Sequence, residues 1–266
     1  MSCRSAILVA TLAIAALATG CVVQPPDTRV APGASCAAAQ PLHVIIGVAG
    51  HNLPDATRRA VVMGLTNQLR ARVQPGALGM VVAAYPLTDQ SIAAQPLRLD
   101  LPCLAEPPAT PDLKQTPTFD RARVLREYRA QVERDRSEVA QAQRDFDTFA
   151  QQLLAFQPTA RSTDIWGFLA LAADEFGSID ASERHVVLIA RDEEVQNTYC
   201  DGCHTLRGAS VHFLAFDQPT PADQQRRRTD WADWLKAVGA ASWTFTRSNE
   251  PLPALFPPTA EDPSHA

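Results

Sequence analysis

The sequence predicts an α/β protein: a doubly wound, mostly parallel six-stranded sheet into which one long amphipathic helix is inserted. Three observations predict it. Short β-branched apolar runs alternate along the chain with segments of helical periodicity, as strands of a parallel sheet alternate with crossover helices. Ser162 to Asp192 joins the two patterns directly, a capped helix leading into a buried strand whose carboxyl end delivers an acidic residue. Phe119 to Phe156 contains neither Gly nor Pro and is strongly helical in composition.

The elements follow in order. Leu42 to Ala49, LHVIIGVA, is apolar on both alternations, as in a strand covered on both faces. Gly50-His51-Asn52-Leu53-Pro54 is a loop, and Pro54 or Asp55 opens a helix through Arg72. Ala56, Ala60, Met63, Leu65 and Leu69 are its expected buried stripe. Gly76 to Tyr85 is a second strand and Pro96 to Leu101 a short third, antiparallel to the first. In the long helix Leu125, Tyr128, Val132, Asp135, Val139, Ala142, Phe146, Phe149, Leu153 and Phe156 recur in steps of three and four, a 3.5-residue period. As one helix it would be roughly 57 Å long at 1.5 Å per residue. Val139 to Phe156 is expected to pack on the sheet, and residues 119–137 to project toward a partner helix or a second copy.

Ser162 is the expected N-cap of the next helix, with Thr163 and Asp164 in its first turn. Its stripe is Ile165, Phe168, Leu169, Ala172 and Phe176, and Gly177 ends it. His185 to Ala190 is the fourth strand. The polar loop Asp192 to Gln196 lies beyond its carboxyl end, where ligands sit in such sheets. Ala209 to Asp217 is the fifth strand. A helix beginning at Asp223 or Thr229 carries Trp231, Trp234, Leu235 and Val238 up to Gly239, and Ala241 to Thr246 is the last strand.

Composition narrows the function. A chain of 266 residues can bury one sizeable core, and a net charge of −5 argues against a nucleic-acid surface. The prolines cluster before residue 42, between 102 and 117 and after 250, marking linkers or tails. Residues 1–20 read as an export signal, with Arg4 in a positive n-region and an apolar run from Ala6 to Ala18 too short to span a bilayer comfortably. Leu17-Ala18-Thr19-Gly20-Cys21 resembles the lipobox of bacterial lipoproteins, with Ala18 where a branched residue is usual. The resemblance implies that Cys21 carries a diacylglyceryl group; an ordinary secretory signal is the alternative. Val22 rather than Asp follows, which points to the outer membrane and its periplasmic face. Residues 21–41 are then a lipidated tether, 42–247 the domain with 119–157 as its inserted helix, and 248–266 a Pro-rich tail.

Four cysteines remain: Cys36, Cys103, Cys200 and Cys203. An oxidising compartment favours two disulfides. The third strand runs antiparallel to the first, so Cys103 at its end falls on the same edge as Cys36 before the first strand, which pairs Cys36 with Cys103 and leaves Cys200 for Cys203. Cys200-Asp201-Gly202-Cys203-His204 also matches C-x-x-C-H, the attachment pattern of c-type haem, through Cys200, Cys203 and His204. A loop between strands is an unusual place for it, so a small disulfide loop is favoured over haem and over a zinc clip.

TDIWGFLALA, RHVVLIARDEE, ASVHFLAFD and DWADWLKAVGAASWTFT resemble the second half of a von Willebrand factor type A domain. The resemblance spans roughly Leu42 to Arg247, interrupted by the long helix. It implies a six-stranded sheet wrapped by helices, with a metal-ion-dependent adhesion site at its carboxyl end. Thr163 matches the threonine of that motif and Asp192 the aspartate after the fourth strand. The leading Asp-x-Ser-x-Ser falls at Gly47 to His51, which reads Gly-Val-Ala-Gly-His. A hard divalent ion needs anionic oxygens that this loop lacks, so the rim of His51, Asn52, Thr163 and Asp192 is expected to bind metal weakly or not at all.

No G-x-S-x-G, P-loop or H-E-x-x-H motif occurs. Asp174-Glu175, Glu193-Glu194 and Arg226-Arg227-Arg228 read as exposed charge, and His43, His185 and His212 as structural histidines. The expectation is a non-enzymatic, envelope-anchored protein-binding module without cofactor, touching the membrane through lipid and meeting another envelope protein or its own copy. A haem-carrying redox protein and a structural lipoprotein oligomerising through the long helix are the alternatives.

Overall fold

Strand β1 (Leu42–Ala49) is buried at every position and forms the centre of the sheet. In the computed structural model, which describes residues 36, 40–50, 53–158, 163–191 and 205–256, β1 lies parallel between β2 (Met80–Leu87) and β4 (Glu183–Ile189). Strands β5 (Ser210–Leu214) and β6 (Ser242–Thr246) continue in parallel beyond β4, and β3 (Leu97–Leu101) runs antiparallel on β2 at the opposite edge. The order is β3-β2-β1-β4-β5-β6. That is the doubly wound arrangement the sequence predicts, and its direction of winding reverses between β1 and β4.

Each face has its own core. Helix α1 (Asp55–Arg70) and the second half of α2 (Arg121–Ala155) cover one face, through Val62, Leu65 and Leu69 and through Ala142, Phe146, Phe149 and Leu153. Helices α3 (Ile165–Ser178) and α4 (Pro221–Ala237) cover the other, where Phe168, Phe176, Trp231 and Leu235 pack on Ile45, Val186 and Phe213.

Several sequence expectations shift. In α1 the buried set is Arg58, Val62, Leu65, Thr66 and Leu69, while Ala56, Ala60 and Met63 face solvent. Alanines carry too little surface to orient a helix. Arg58 buries its stem while its guanidinium meets Asp55, and the Thr66 hydroxyl donates to the Val62 carbonyl at 2.9 Å, so polar residues turn inward. The cap of α3 is Asp164 rather than Ser162: its Oδ1 accepts from Gly167 N at 2.7 Å. Gly177 lies inside α3, which runs on to Ser178. The second strand begins at Met80, not Gly76.

Two proline-rich stretches also belong to the domain. Leu104 is 2% exposed, and its N–H and carbonyl bond Ala77 and Gly76, so the chain after β3 is fastened before it leaves. The boundary at Arg247 falls short as well. Leu255 and Phe256 enter the core beside α1, where Gln68 donates to the Pro253 carbonyl at 2.7 Å and accepts from Leu255 N at 2.8 Å. One amide side chain thus satisfies a backbone donor and acceptor that a proline-rich strand could not pair alone.

Candidate functional site

The carboxyl edge of the sheet is where the fold would hold a ligand. Gly47, inside β1, is pressed from above: a Cβ there would lie 2.8 Å from Leu87 Cδ2 and 2.9 Å from the Phe168 ring. Gly50, just past β1, backs directly onto the Pro158 carbonyl, leaving no room for a side chain in that direction. The chain entering α3 is tied to the end of β2, because Asp164 N donates to the Thr88 carbonyl at 2.7 Å. Ser91, fully buried in a 3-10 turn, accepts from Thr88 N and donates back to the Thr88 carbonyl, each at 3.1 Å. Past β5, Ala215 turns the chain with φ at 61°, and Asp217 accepts from Ser248 N at 3.3 Å beside Arg247.

Of the expected rim, only Thr163 is described; His51, Asn52 and Asp192 lie outside the described residues. The one carboxylate adjoining Thr163, on Asp164, is spent as a helix cap. Among the described residues no three His, Cys, Asp or Glu side chains come together in a way that could hold a metal ion.

Cys36 and Cys103 form a disulfide with a Cα–Cα distance of 5.7 Å. Because Cys103 follows β3 and β3 runs against β1, both cysteines fall at the amino edge of the sheet. Cys21, Cys200, Cys203 and His204 lie outside the described residues, as does the loop that carries the last three. The long helix is continuous from Arg121 to Ala155, and its apolar stripe changes surroundings midway. Val139, Ala142, Phe146, Phe149 and Leu153 belong to or touch the core; Leu125, Tyr128 and Val132 are half-buried and stand outside it. Phe119, just ahead of the helix, is 85% exposed. Asp135, the polar member of the stripe, is buried and accepts from Gln131 Nε2 at 2.6 Å.

Sequence reasoning missed two polar clusters within the core. Beside β4, β5 and β6, His185 Nδ1 and His212 Nε2 lie 3.1 Å apart, and His212 Nδ1 is 3.0 Å from Thr244 Oγ1. His185 Nε2 lies 3.5 Å from the Glu183 carboxylate, which is itself 3.5 Å from Arg72. A carboxylate accepts only, so His185 Nε2 carries the proton. His212 Nε2–H then donates to His185 Nδ1, and the Thr244 hydroxyl donates to His212 Nδ1. Burial holds both imidazoles neutral: the His212 pKa falls to about 3, by burial first and then by His185, and that of His185 is lowered by burial against the pull of Glu183.

On the other face Tyr85 donates to Glu175 Oε1 at 2.6 Å, and Arg98 pairs with the same oxygen. Burial, then the Glu175 bond, raises the Tyr85 pKa. Glu175 is therefore not the exposed charge its sequence neighbour Asp174 suggests; its side chain is 16% exposed. His43 sits close by, edge-on to Phe176 at 5.1 Å, with both ring nitrogens buried and unpartnered. Burial also lowers its pKa. No local pattern announces these clusters, because the bonds at their centres, His185 to His212, His212 to Thr244 and Tyr85 to Glu175, join residues 27, 32 and 90 positions apart.

No protein family matches the sequence, and no curated protein does. Among solved structures, the chain is similar to a von Willebrand factor type A protein from Catenulispora acidiphila, at 13% identity with a TM-score of 0.39. The likeness covers 79% of this chain and 39% of the other, so this chain spans well under half of that protein's length. The fold class itself rests on strand order and direction.

Proposed function

We propose that the protein is a lipid-anchored, non-enzymatic protein-binding module. Cys21 holds it to the outer membrane, the tether of residues 21–41 sets it off the periplasmic face, and binding proceeds without metal or with weak dependence on one. Neither haem nor another cofactor takes part. The observation that carries the reading is the division of α2 at Val139. Beyond that residue the stripe belongs to the core; before it, Leu125, Tyr128 and Val132 stay half-exposed on a helix otherwise rich in charge. At 35 residues α2 is about 52 Å long, and a stripe of 3.5-residue period on such a helix suits docking by a second helix. That helix belongs to another envelope protein or to a second copy.

The test is capture from the organism's own envelope with the lipidated protein as bait, alongside light scattering of the purified protein. A variant carrying Leu125→Glu, Tyr128→Glu and Val132→Glu is expected to lose the captured partner, or the higher mass, while keeping its helical content. Equal capture and equal mass for both proteins would sink the reading.

A further inference from the structure

The sequence directs attention to the carboxyl edge of the sheet, yet an open cleft among the described residues lies at the opposite edge. It is open to solvent and offers about 590 Å³ where α3 ends, where β4 begins and where the chain approaches β5. That volume is within the range of small-molecule sites, roughly 300–1,000 Å³. Phe176 and Ala173 supply an apolar wall, and Arg184 and Arg207 reach the cleft from two separate segments. Neither guanidinium is paired with a carboxylate among the described residues. Arg184 Nε is buried and has no hydrogen-bond acceptor. The acid in the lining, Asp180, is engaged elsewhere: its Oδ2 accepts from Gln40 Nε2 at 2.5 Å.

A guanidinium is never neutral in a protein, so a buried N–H without an acceptor carries a standing desolvation cost. Arg98, by contrast, pairs its guanidinium with Glu175. His43, whose backbone is the register partner of Arg184, offers no acceptor in compensation, since its ring nitrogens make no bonds. We infer that this cleft is a binding site for a small phosphate-bearing ligand, its oxyanion held between Arg184 and Arg207. Planar forked donors suit tetrahedral phosphate, accepting from two directions at once. Ser178 on the same lining donates its hydroxyl proton to the Glu175 carbonyl at 2.7 Å, so its oxygen would accept from a hydroxyl on the ligand's far side, which makes a phosphate monoester a better fit than the bare ion. This inference is independent of the α2 docking surface, which lies on the other face of the sheet.

The test is calorimetric titration of the full-length protein in non-ionic detergent with inorganic phosphate and, separately, glycerol 3-phosphate. Saturable binding is expected, with Kd on the order of 0.1–1 mM and the monoester binding at least as tightly as phosphate. Arg184→Gln and Arg207→Gln should each weaken it about tenfold, and Arg129→Gln, on the exposed side of α2, should leave it unchanged. Arg207 is exposed, so its variant tests the site even if Arg184→Gln lowers stability; far-UV circular dichroism reports on both. A monoester that binds more tightly points to an esterified headgroup or metabolite, and equal binding to free phosphate; both support the site. No saturable binding by either probe, or binding that Arg207→Gln leaves intact, overturns it.

Discussion

Acid should loosen the protein through the His185–His212 pair, and the size of the effect can be worked out. An unfolded histidine titrates near 6.5, whereas His212 in the folded chain titrates at about 3. Folding therefore expels a proton between those values. The depressed folded pKa means that the stabilisation is complete above pH 6.5 and is lost as pH falls toward 3. Linkage gives a loss of about 2 kcal/mol between pH 8 and pH 5 from His212 alone. His185 and His43, whose pKa values are also lowered, add in the same direction. In a domain of this size 2 kcal/mol corresponds to about 4–8 °C in Tm. Carboxylates elsewhere titrate in the lower part of the window, so the comparison is with His212→Gln. The glutamine can still bond Thr244 or His185 but takes up no proton. Urea unfolding at pH 8, 7, 6 and 5 should show the wild type losing about 2 kcal/mol more than the variant across the series. Parallel pH profiles for the two proteins would refute the account of a buried neutral pair.

Other expectations follow from the same packing. Cys103→Ser should destabilise the oxidised protein by up to about 4 kcal/mol, since the disulfide closes a loop with a sequence separation of 67, and a reducing agent should make the two proteins unfold alike. Phe146, 1% exposed on the inner half of α2, should cost about 3–5 kcal/mol when changed to Ala, whereas Leu125→Ala on the outer half should cost below about 1 kcal/mol by urea denaturation. Asp164→Ala, which removes the α3 cap, should cost about 1 kcal/mol by the same measure. Titration with magnesium, manganese or zinc should give no submicromolar binding. Protein purified from its native host should show no Soret band; either signal would bring back the metal rim or the haem at Cys200, Cys203 and His204.

The strand plan was legible in the chain itself. β1, β4 and β5 follow from short runs rich in apolar and β-branched residues, β6 from an alternating aromatic and β-branched segment, and the antiparallel β3 from a connection too short to hold a crossover helix. The disulfide between Cys36 and Cys103 followed from the even set of cysteines and from strand direction together. Helix faces were less legible where alanine and methionine set the pattern, because a small or flexible side chain does not reveal which way a helix turns; α1 rolled toward Arg58 and Thr66 for that reason.

The chain by itself determined which segments become strands and helices, since period, caps and β-branching act within a few residues. Only the tertiary structure decided which polar groups become buried partners. His185 meets His212 because β4 and β5 pair with Val187 opposite His212. Glu175 meets Tyr85 because α3 lies across β2, and Gln68 meets Pro253 because the tail folds back beneath α1. Such contacts join residues far apart in sequence, and no local free energy announces them. The same holds for the cleft at Arg184 and Arg207, which takes shape where a helix end, a strand start and a loop come together.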